Sequence, residues 1–250
     1  MVTRYIAICL YWINGTCPQG VRYLNLLMLI PKDVLKKLSE LANLIKGAKA
    51  FKALLPLELP SILFDIAIGL MLGDASAVKR YPNSSAVLKF THTANHLDYI
   101  IHLFDLFSLW VASPPRLYEI VRSTGTFLQI GFQSLSFPWV DQLRTIFYDD
   151  QGRKRLPSNI AFLLTPIGLA FFFMDDGAKA GKGFLLHTDG FTKEDVALLA
   201  SVLEAKFGLK CSLRRRHQGQ FAIYISAHSR GRFISIVGPY IHPCMRYKIS

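Results

Sequence analysis

Two stretches decide the fold of this 250-residue chain: Ile68-Gly69-Leu70-Met71-Leu72-Gly73-Asp74, and Leu169-Ala170-Phe171-Phe172-Phe173-Met174-Asp175-Asp176-Gly177. Each is an almost wholly apolar run, typical of a buried helix, and each ends in a carboxylate. The C-terminal end of a helix carries partial negative charge, so an aspartate there is disfavoured by roughly 0.3–1 kcal/mol. One such aspartate would be explained as the start of a turn. Two in equivalent places predict that the helix ends meet at a shared divalent cation, which takes carboxylate oxygens as ligands.

The elements around these two runs recur in the same order: helix, strand pair, helix, strand pair, helix. Periodicity predicts helices at 62–73, 95–110 and 138–149 in the first copy, and at 167–174, from 192, and at 229–239 in the second. Alternating apolar and polar residues predict strands at 87–91, 116–122, 126–134, 184–187, 209–217 and 220–226. We take the His-Thr pairs at 92–93 and 187–188 as equivalent, which leaves a longer loop near 81–84 in the first copy. The prediction is an α+β fold, a pseudo-dimer of two αββαββα repeats in one chain.

We divide the chain into a first repeat at 61–157 and a second repeat at 158–250, preceded by an N-terminal extension at 1–60. The extension contains an amphipathic helix at 32–50, in which apolar side chains recur at helical spacing while lysines lie mostly elsewhere. A cap on the core is the simplest role for this helix, and contact with a nucleic-acid backbone is the alternative. The apolar run at 5–13 is too short to span a bilayer.

The charge balance is strongly basic, because 29 Lys and Arg face 17 Asp and Glu, giving a formal net charge of +12. Such an excess on a folded protein favours a polyanionic partner, either nucleic acid or an acidic membrane surface, over a merely solvated surface. The 51% content of hydrophobic residues excludes a disordered chain. The four cysteines show no C-x-x-C spacing, so neither a zinc ribbon nor a redox pair is indicated.

The two apolar runs resemble the paired motifs of the LAGLIDADG homing endonucleases, in particular the monomeric, two-repeat members of the omega type from mitochondrial introns. The eighth motif position is Asp74 in the first copy and Asp176 in the second. The resemblance covers residues 55–250, and it includes the C-terminal stretches Gly238-Pro239-Tyr240-Ile241-His242-Pro243 and Met245-Arg246-Tyr247-Lys248.

The sequence departs from the family motif at two positions. Leu72 stands in place of the first aspartate of the motif, and Phe171 stands in place of its glycine. Because glycine at that position allows two helices to approach closely, we expect Phe171 to be accommodated by Gly69 or by another small residue opposite.

The resemblance implies a fold in which the two motif helices form the central interface beneath two saddle-shaped antiparallel sheets. It places both acids over the DNA minor groove, where metal-assisted hydrolysis cuts each strand and leaves short 3′ overhangs. The implied catalytic residues are Asp74, Asp176, Lys154 and Lys248; the implied metal-binding residues are Asp74, Asp176, Gly73 and Asp175. Mg²⁺ is the implied cofactor, with Mn²⁺ as a substitute.

The outer faces of the two sheets would bind the major groove of a long, asymmetric target. Arginine and glutamine can read guanine and adenine edges with two hydrogen bonds, and lysine and arginine also hold phosphates. The candidate DNA-binding residues are Lys89, Arg116, Arg122, Gln129, Gln133, Arg214, Arg216, Gln218 and Tyr224.

The resemblance makes the chain a homing endonuclease that acts as a monomer on double-stranded DNA, away from membranes, in a mitochondrion or chloroplast. One alternative is a maturase of the same fold that binds its host intron RNA. Another is a non-catalytic DNA-binding protein of the same fold. Retention of both aspartates and both lysines favours the nuclease, because binding alone requires none of them.

Overall fold

Helices α1 (Ser61–Leu72) and α5 (Pro166–Asp176), which contain the two apolar runs, pack side by side. In this computed structural model, which describes residue 52 and residues 55–122, 125–216 and 219–250, 8 of the 12 residues of α1 and 7 of the 11 residues of α5 are buried. Neither apolar run has a polar face that could be turned toward solvent. A helix of this kind is stable only where other parts of the protein surround it. The side-by-side packing predicted for the two runs is confirmed.

The helix pair is held at close range by two glycines that face each other. A Cβ atom placed on Gly69 would lie 2.0 Å from the carbonyl oxygen of Gly168, so the two backbones are in contact. The aromatic ring of Phe171 stacks on the ring of His102, with centroids 5.9 Å apart, and the three atoms nearest to a Cβ on Gly69 all belong to Gly168. The small residue opposite Gly69 is therefore Gly168, three residues before the position where the family motif has its glycine.

The first repeat continues with a four-stranded antiparallel sheet and two helices. Its elements are β1 (Ser76–Val78), β2 (Val87–Thr93), α2 (Leu97–Phe107), β3 (Arg116–Arg122), β4 (Gly125–Gln133) and α3 (Pro138–Phe147). The strand order is β1-β2-β4-β3.

The second repeat has the same topology after the short helix α4 (Ile160–Leu163). Following α5, its elements are β5 (Gly177–Ala180), β6 (Gly183–His187), α6 (Lys193–Phe207), β7 (Cys211–Arg215), β8 (Phe221–Ile225) and α7 (Arg230–Val237). The strand order, β5-β6-β8-β7, repeats that of the first sheet. The prediction of an α+β fold with two αββαββα repeats is confirmed, and so is the longer loop between the first two strands of the first repeat.

The register of the strands fixes which residues of the two repeats are equivalent. Two residues after the motif aspartate of each repeat, Ser76 pairs with Lys89 and Ala178 pairs with Leu185. Lys89 and Leu185 are therefore equivalent positions, and the correspondence continues residue by residue along β2 and β6.

The histidines that follow are one residue out of this register. His187 is equivalent to Thr91, and Thr188 is equivalent to His92. The prediction that the pairs His92-Thr93 and His187-Thr188 are equivalent is therefore wrong by one residue. Because successive side chains of a strand point to opposite faces, His92 is buried on the core side of its sheet whereas His187 lies on the outer side.

Apolar alternation along the strands matches the predicted faces. Leu88 and Phe90 of β2 are buried, as are Ile223 and Ile225 of β8. Leu128 is an exception, because 47% of it is exposed where the β3–β4 hairpin extends past the core. None of the helices in the described ranges is long and apolar enough to cross a membrane. The predicted helix at 32–50 and the rest of residues 1–51 lie outside the described residues.

Candidate active site and outer sheet faces

The two motif aspartates lie at the same end of the helix pair. Asp74 follows Gly73, the residue that caps α1, and Asp176 is the last residue of α5. The side chain of Asp74 is 45% exposed. Burial raises the pKa of Asp176 to about 7, and the negative charge of Asp74 adds to this rise. The two carboxylates are therefore close enough to repel each other.

This repulsion predicts that Asp176→Asn stabilises the metal-free protein. The folded-state pKa lies above the ordinary value of 3.8, so the folded state binds an extra proton between about pH 4 and 7 and stability falls across that range. Above pH 7 Asp176 is ionised in the folded state, so the free energy of unfolding is lowered by the full cost of burying its charge beside Asp74. At pH 8 in EDTA we expect the variant to gain on the order of 1–3 kcal/mol in the free energy of unfolding, allowing for solvent screening.

Denaturant unfolding at pH 8 and pH 5 measures this effect. The gain should shrink at pH 5, where Asp176 is already protonated in the folded wild type. Asp150→Asn, which changes an exposed acid in a turn, is the matched control and should show neither the gain nor its pH dependence. A variant no more stable than the wild type at pH 8 would contradict the proposed repulsion.

A lysine lies beside each motif aspartate. The ammonium of Lys154 donates to the carbonyl oxygens of Gly73 and Ala75, at 2.8 and 3.0 Å. The ammonium of Lys248 donates to the carbonyl oxygens of Met174 and Asp175, at 2.5 and 3.0 Å. Carbonyls at the C-terminal end of a helix lack partners within the helix, and a cation there offsets the negative end of the helix dipole.

Neither lysine is a solvated surface residue. Burial lowers the pKa of Lys154 to about 8, and the carboxylates of Asp176, Asp175 and Asp74 oppose this shift. Burial also lowers the pKa of Lys248, against the same three carboxylates. Both ammonium groups therefore lie within the electrostatic field of the acids.

A tight turn places Lys154. The carboxylate of Asp149 accepts hydrogen bonds from the backbone N–H groups of Gln151 and Arg153, and Gly152 has a φ of 74°, in the left-handed region that favours glycine. The chain then returns as a β-bridge between Tyr148 and Lys154. Lys248 ends a 3-10 turn over Pro243–Lys248.

The carboxyl group of Asp175 is fully buried, with none of its side chain exposed. One oxygen accepts a hydrogen bond from the hydroxyl of Tyr99 at 2.8 Å and lies 3.6 Å from Nε2 of His92. The other oxygen accepts from the backbone N–H of Asp74 at 3.1 Å. Burial raises the pKa of Asp175 well above its ordinary value and lowers the pKa of His92 to about 4.

The three acids at this end of the helix pair differ in burial and in hydrogen bonding. Asp74, His92 and Asp175 place one ligand atom each within 4.8 Å of one another, the one such group in the described part of the chain. Both carboxyl oxygens of Asp175, however, already accept hydrogen bonds and are closed to solvent. No side chain within the described ranges donates a hydrogen bond to the Asp176 carboxylate, and Asp74 is partly exposed. Asp74 and Asp176 repel each other, a cost that a divalent cation between them would remove.

The predicted DNA-binding residues share the outer faces of the two sheets. Pairing of Lys89 with Gln133 and of buried Phe90 with Phe132 defines the two sides of the first sheet. By this alternation, the outer faces carry the side chains of Lys89, Arg116, Gln129 and Gln133 in the first repeat, and those of Arg214, Arg216 and Tyr224 in the second. Arg122 is the last residue of β3. Arg214 stacks on the ring of Tyr224 at 3.7 Å. Gln218 lies outside the described residues.

The same pair of positions is in contact on both outer faces, but the side chains there differ between the two repeats. The hydroxyl of Tyr118 hydrogen-bonds Oγ1 of Thr91 at 3.1 Å, whereas Arg216 contacts Nδ1 of His187 at 2.6 Å. Arg216 also forms an ion pair with Asp189 at 3.3 Å. The guanidinium of Arg216 is thus fixed in place on the outer face.

Comparison with known proteins settles the family. The sequence model of the LAGLIDADG DNA endonuclease family matches residues 64–233. The chain belongs to the LAGLIDADG DNA endonuclease family. This confirms the predicted membership and the predicted enzyme class, that of the DNA endonucleases.

Individual LAGLIDADG proteins resemble the chain over most of its length. It is 33% identical over 202 residues to the probable intron-encoded endonuclease 1 of Wickerhamomyces canadensis, covering 76% of this chain and 85% of that protein. It is 29% identical over 193 residues to the cytochrome b mRNA maturase bI2 of Debaryomyces hansenii, covering 75% and 73%. The solved structure of the homing endonuclease I-WcaI bound to its DNA recognition sequence matches with a TM-score of 0.75 and 32% identity, covering 81% of this chain and 91% of that one.

Some residues of this LAGLIDADG site were missed by sequence reasoning. Tyr99 lies within an apolar helix face, where an aromatic residue is more often part of the core. His92 was noted only as part of a His-Thr pair. The sequence does contain one signal for a buried polar group here. The second motif has Asp175 where the first has Gly73, so the second copy carries an additional acid next to its motif aspartate.

Proposed function

We propose that the chain is a site-specific double-strand DNA endonuclease of the intron-homing kind. The observation that carries the proposal is the pairing of Asp74 and Asp176 at adjacent helix ends, each with a buried lysine beside it. Binding to nucleic acid alone requires neither repelling carboxylates nor buried ammonium groups. Hydrolysis of a phosphodiester requires both a cation site and positive charge close to the reacting phosphate.

Asp74 and Asp176 would hold Mg²⁺, with Mn²⁺ as a substitute. The bound ions would supply an activated water and stabilise charge on the leaving oxygen. Gly73 and Asp175 would contribute through their main-chain carbonyls, which now accept hydrogen bonds from Lys154 and Lys248. The site would lie across the minor groove of the DNA, with one of the two carboxylates serving the cut in each strand.

The lysines would act on the reacting phosphates. An ammonium held by two carbonyl oxygens has its third N–H free to reach toward a phosphate or toward the attacking water. Its contribution would be greatest in the transition state, where negative charge builds up.

DNA would bind along the outer sheet faces, where most of the predicted contact residues lie, and Gln218 is proposed as a further contact. A net charge of +12 supports strong, salt-dependent phosphate binding. One chain carries both acids, so a monomer would suffice to cut both strands. A mitochondrion or chloroplast is the proposed location, which rests on the resemblance to organellar intron endonucleases.

A second candidate function is that of an intron RNA maturase, which the 29% identity to a cytochrome b mRNA maturase favours. It would use host intron RNA as partner and could coexist with cleavage. A non-catalytic DNA-binding role has less support, because both acids and both lysines are in place.

The proposal is tested by incubating the purified chain with DNA that spans the intronless junction of its host gene. We expect linear product in Mg²⁺ and none in EDTA. Tight binding without cleavage of either strand would contradict the endonuclease. Binding of the intron RNA together with assisted splicing would establish the maturase function instead.

The lysines separate a nuclease from a binding protein. Lys154→Met should slow cutting chiefly of one strand and Lys248→Met chiefly of the other, so that nicked plasmid accumulates. The reason is that Lys154 donates to the two carbonyl oxygens that flank Asp74, whereas Lys248 donates to the two carbonyl oxygens that precede Asp176. Binding should weaken only as for one lost phosphate contact, and the slope of binding against salt should change by no more than about one unit.

A plasmid nicking assay beside a salt titration measures both effects. Lys210→Met, which removes an exposed lysine just before β7, is the control and should leave the ratio of nicked to linear product unchanged. Equal loss of binding and of cutting in the two active-site variants would make these lysines ordinary DNA-backbone contacts.

A further inference from the structure

The carboxyl group of Asp175 belongs to the second repeat, but all of its hydrogen bonds are to the first. It accepts from the Tyr99 hydroxyl of α2 and from the backbone N–H of Asp74, and it lies beside the imidazole of His92 in β2. The other ring nitrogen of His92, Nδ1, is 3.3 Å from the Asp74 carboxylate. Asp74 is thus held at two points, through its backbone N–H and through its side chain.

The other half of the molecule has no equivalent of this arrangement. The residue equivalent to Asp175 is Gly73, which has no side chain. The residue equivalent to His92 is Thr188, whose hydroxyl donates to the carbonyl of Phe221 rather than to an acid. Asp176 therefore has a lysine close by, as Asp74 does, but among the described residues it has no counterpart of the buried Asp175, Tyr99 and His92.

Packing makes this asymmetry obligatory. A Cβ atom on Gly73 would lie 2.5 Å from a carboxyl oxygen of Asp175 and 2.6 Å from its Cβ. In this packing, the side chain of Asp175 occupies the space that a side chain at position 73 would need. The side chain that occupies the space comes from the second repeat and acts on the acid of the first.

We propose that Asp175, with Tyr99 and His92, is a positioning device for Asp74 and so controls the cutting of one DNA strand selectively. This role rests on the proposed endonuclease function, to which it adds a difference between the two DNA strands in the control of cutting. Asp175 touches neither substrate nor cation through its side chain, and it acts through Asp74. A displacement of a reacting group by about 1 Å can cost about a hundredfold in rate, so loss of these hydrogen bonds has a measurable consequence.

The competing explanation is a merely structural one, in which the Asp175–Tyr99 hydrogen bond joins the two repeats. Loss of such a bond would lower stability and slow both strands alike. The ratio of the two strand-cutting rates separates the explanations, because only the positioning role changes it.

The experiment measures single-turnover cutting of each strand of an end-labelled target duplex in saturating Mg²⁺. Tyr99→Phe removes one oxygen, and Asp175→Asn keeps the shape of the side chain. Lys154→Met identifies the strand whose cutting depends on Asp74. Relative to the other strand, cutting of this strand should be about tenfold slower, or more, in both Tyr99→Phe and Asp175→Asn. Thr188→Val, which removes the hydroxyl at the position equivalent to His92, is the matched control and should leave the ratio of rates unchanged.

Two further measurements make no use of activity. DNA affinity should stay within about threefold of the wild type in Tyr99→Phe, because the lost hydroxyl is buried and contacts no phosphate. In protein without DNA or metal, Asp175→Ala should speed hydrogen exchange at the Asp74 amide, and Thr188→Val should not.

The outcomes distinguish this inference from the proposed function. Equal slowing of both strands in Tyr99→Phe and Asp175→Asn, or unchanged rates in both, would overturn the positioning role while leaving the nuclease intact. A wild-type chain that cuts neither strand of the host junction would overturn the proposed function and this inference with it.

Discussion

Asp74→Asn and Asp176→Asn should each abolish double-strand cleavage while leaving DNA binding largely intact. Each substitution would remove one charged oxygen from the proposed cation site of the two carboxylates. The carboxyl of Asp175 is buried and already hydrogen-bonded, so we do not expect it to replace the lost ligand. We expect the cleavage rate to fall by about a thousandfold or more, which corresponds to about 4 kcal/mol of transition-state stabilisation. Binding should persist because phosphate contacts supply most of the affinity.

Plasmid linearisation in Mg²⁺ and fluorescence anisotropy in Ca²⁺ measure the two quantities separately. Asp150→Asn removes an exposed carboxylate outside the site and should cut at the wild-type rate. If both single variants at the motif positions still cut both strands, the assignment of the catalytic pair is wrong.

Gly69→Ala should destabilise the protein more than any other single methyl addition considered. The new Cβ would lie 2.0 Å from the carbonyl oxygen of Gly168, which belongs to the backbone of a buried helix and cannot give way locally as a flexible side chain could. The helices would have to separate along their length, so we expect a loss of about 3 kcal/mol or more in the free energy of unfolding. Separation would also displace Asp74 from Asp176, so residual folded protein should cut slowly.

Denaturant unfolding of Gly69→Ala beside Gly231→Ala provides a matched comparison. Gly231 also lies in a helix, α7, but a Cβ there would meet nothing within 4 Å. Because alanine favours the helix over glycine, Gly231→Ala should be neutral or gain up to about 1 kcal/mol. A Gly69→Ala protein as stable as the wild type would show that the helix pair is not in backbone contact.

The features that could be predicted from the sequence are those set by local pattern. The apolar runs at 68–74 and 169–177 required buried helices, and the alternation in β2 and β8 fixed the inward faces. The start of α6 near residue 192 was also predicted, and there Oγ1 of Thr192 accepts a hydrogen bond from the backbone N–H of Asp195. These are interactions within a few residues along the chain.

The features that could not be predicted depend on distant residues and on register. His92 and His187 share a His-Thr context, yet a loop of different length in each repeat shifts their alignment by one residue and puts them on opposite faces. Gly168 was not expected opposite Gly69, because helix contact is set by the crossing of two segments a hundred residues apart. Tyr99 meets Asp175 across the interface of the repeats, which no spacing along the chain encodes.

The central claim is that Asp74 and Asp176 together hold the catalytic cation. Anomalous diffraction from Mn²⁺ in crystals of the protein bound to its DNA target tests it most directly. The account predicts Mn²⁺ within about 2.0–2.6 Å of carboxylate oxygens of both aspartates, at the scissile phosphates. Carboxylates more than about 10 Å apart, or Mn²⁺ held by Asp74, His92 and the Asp175 side chain with none at Asp176, would contradict it.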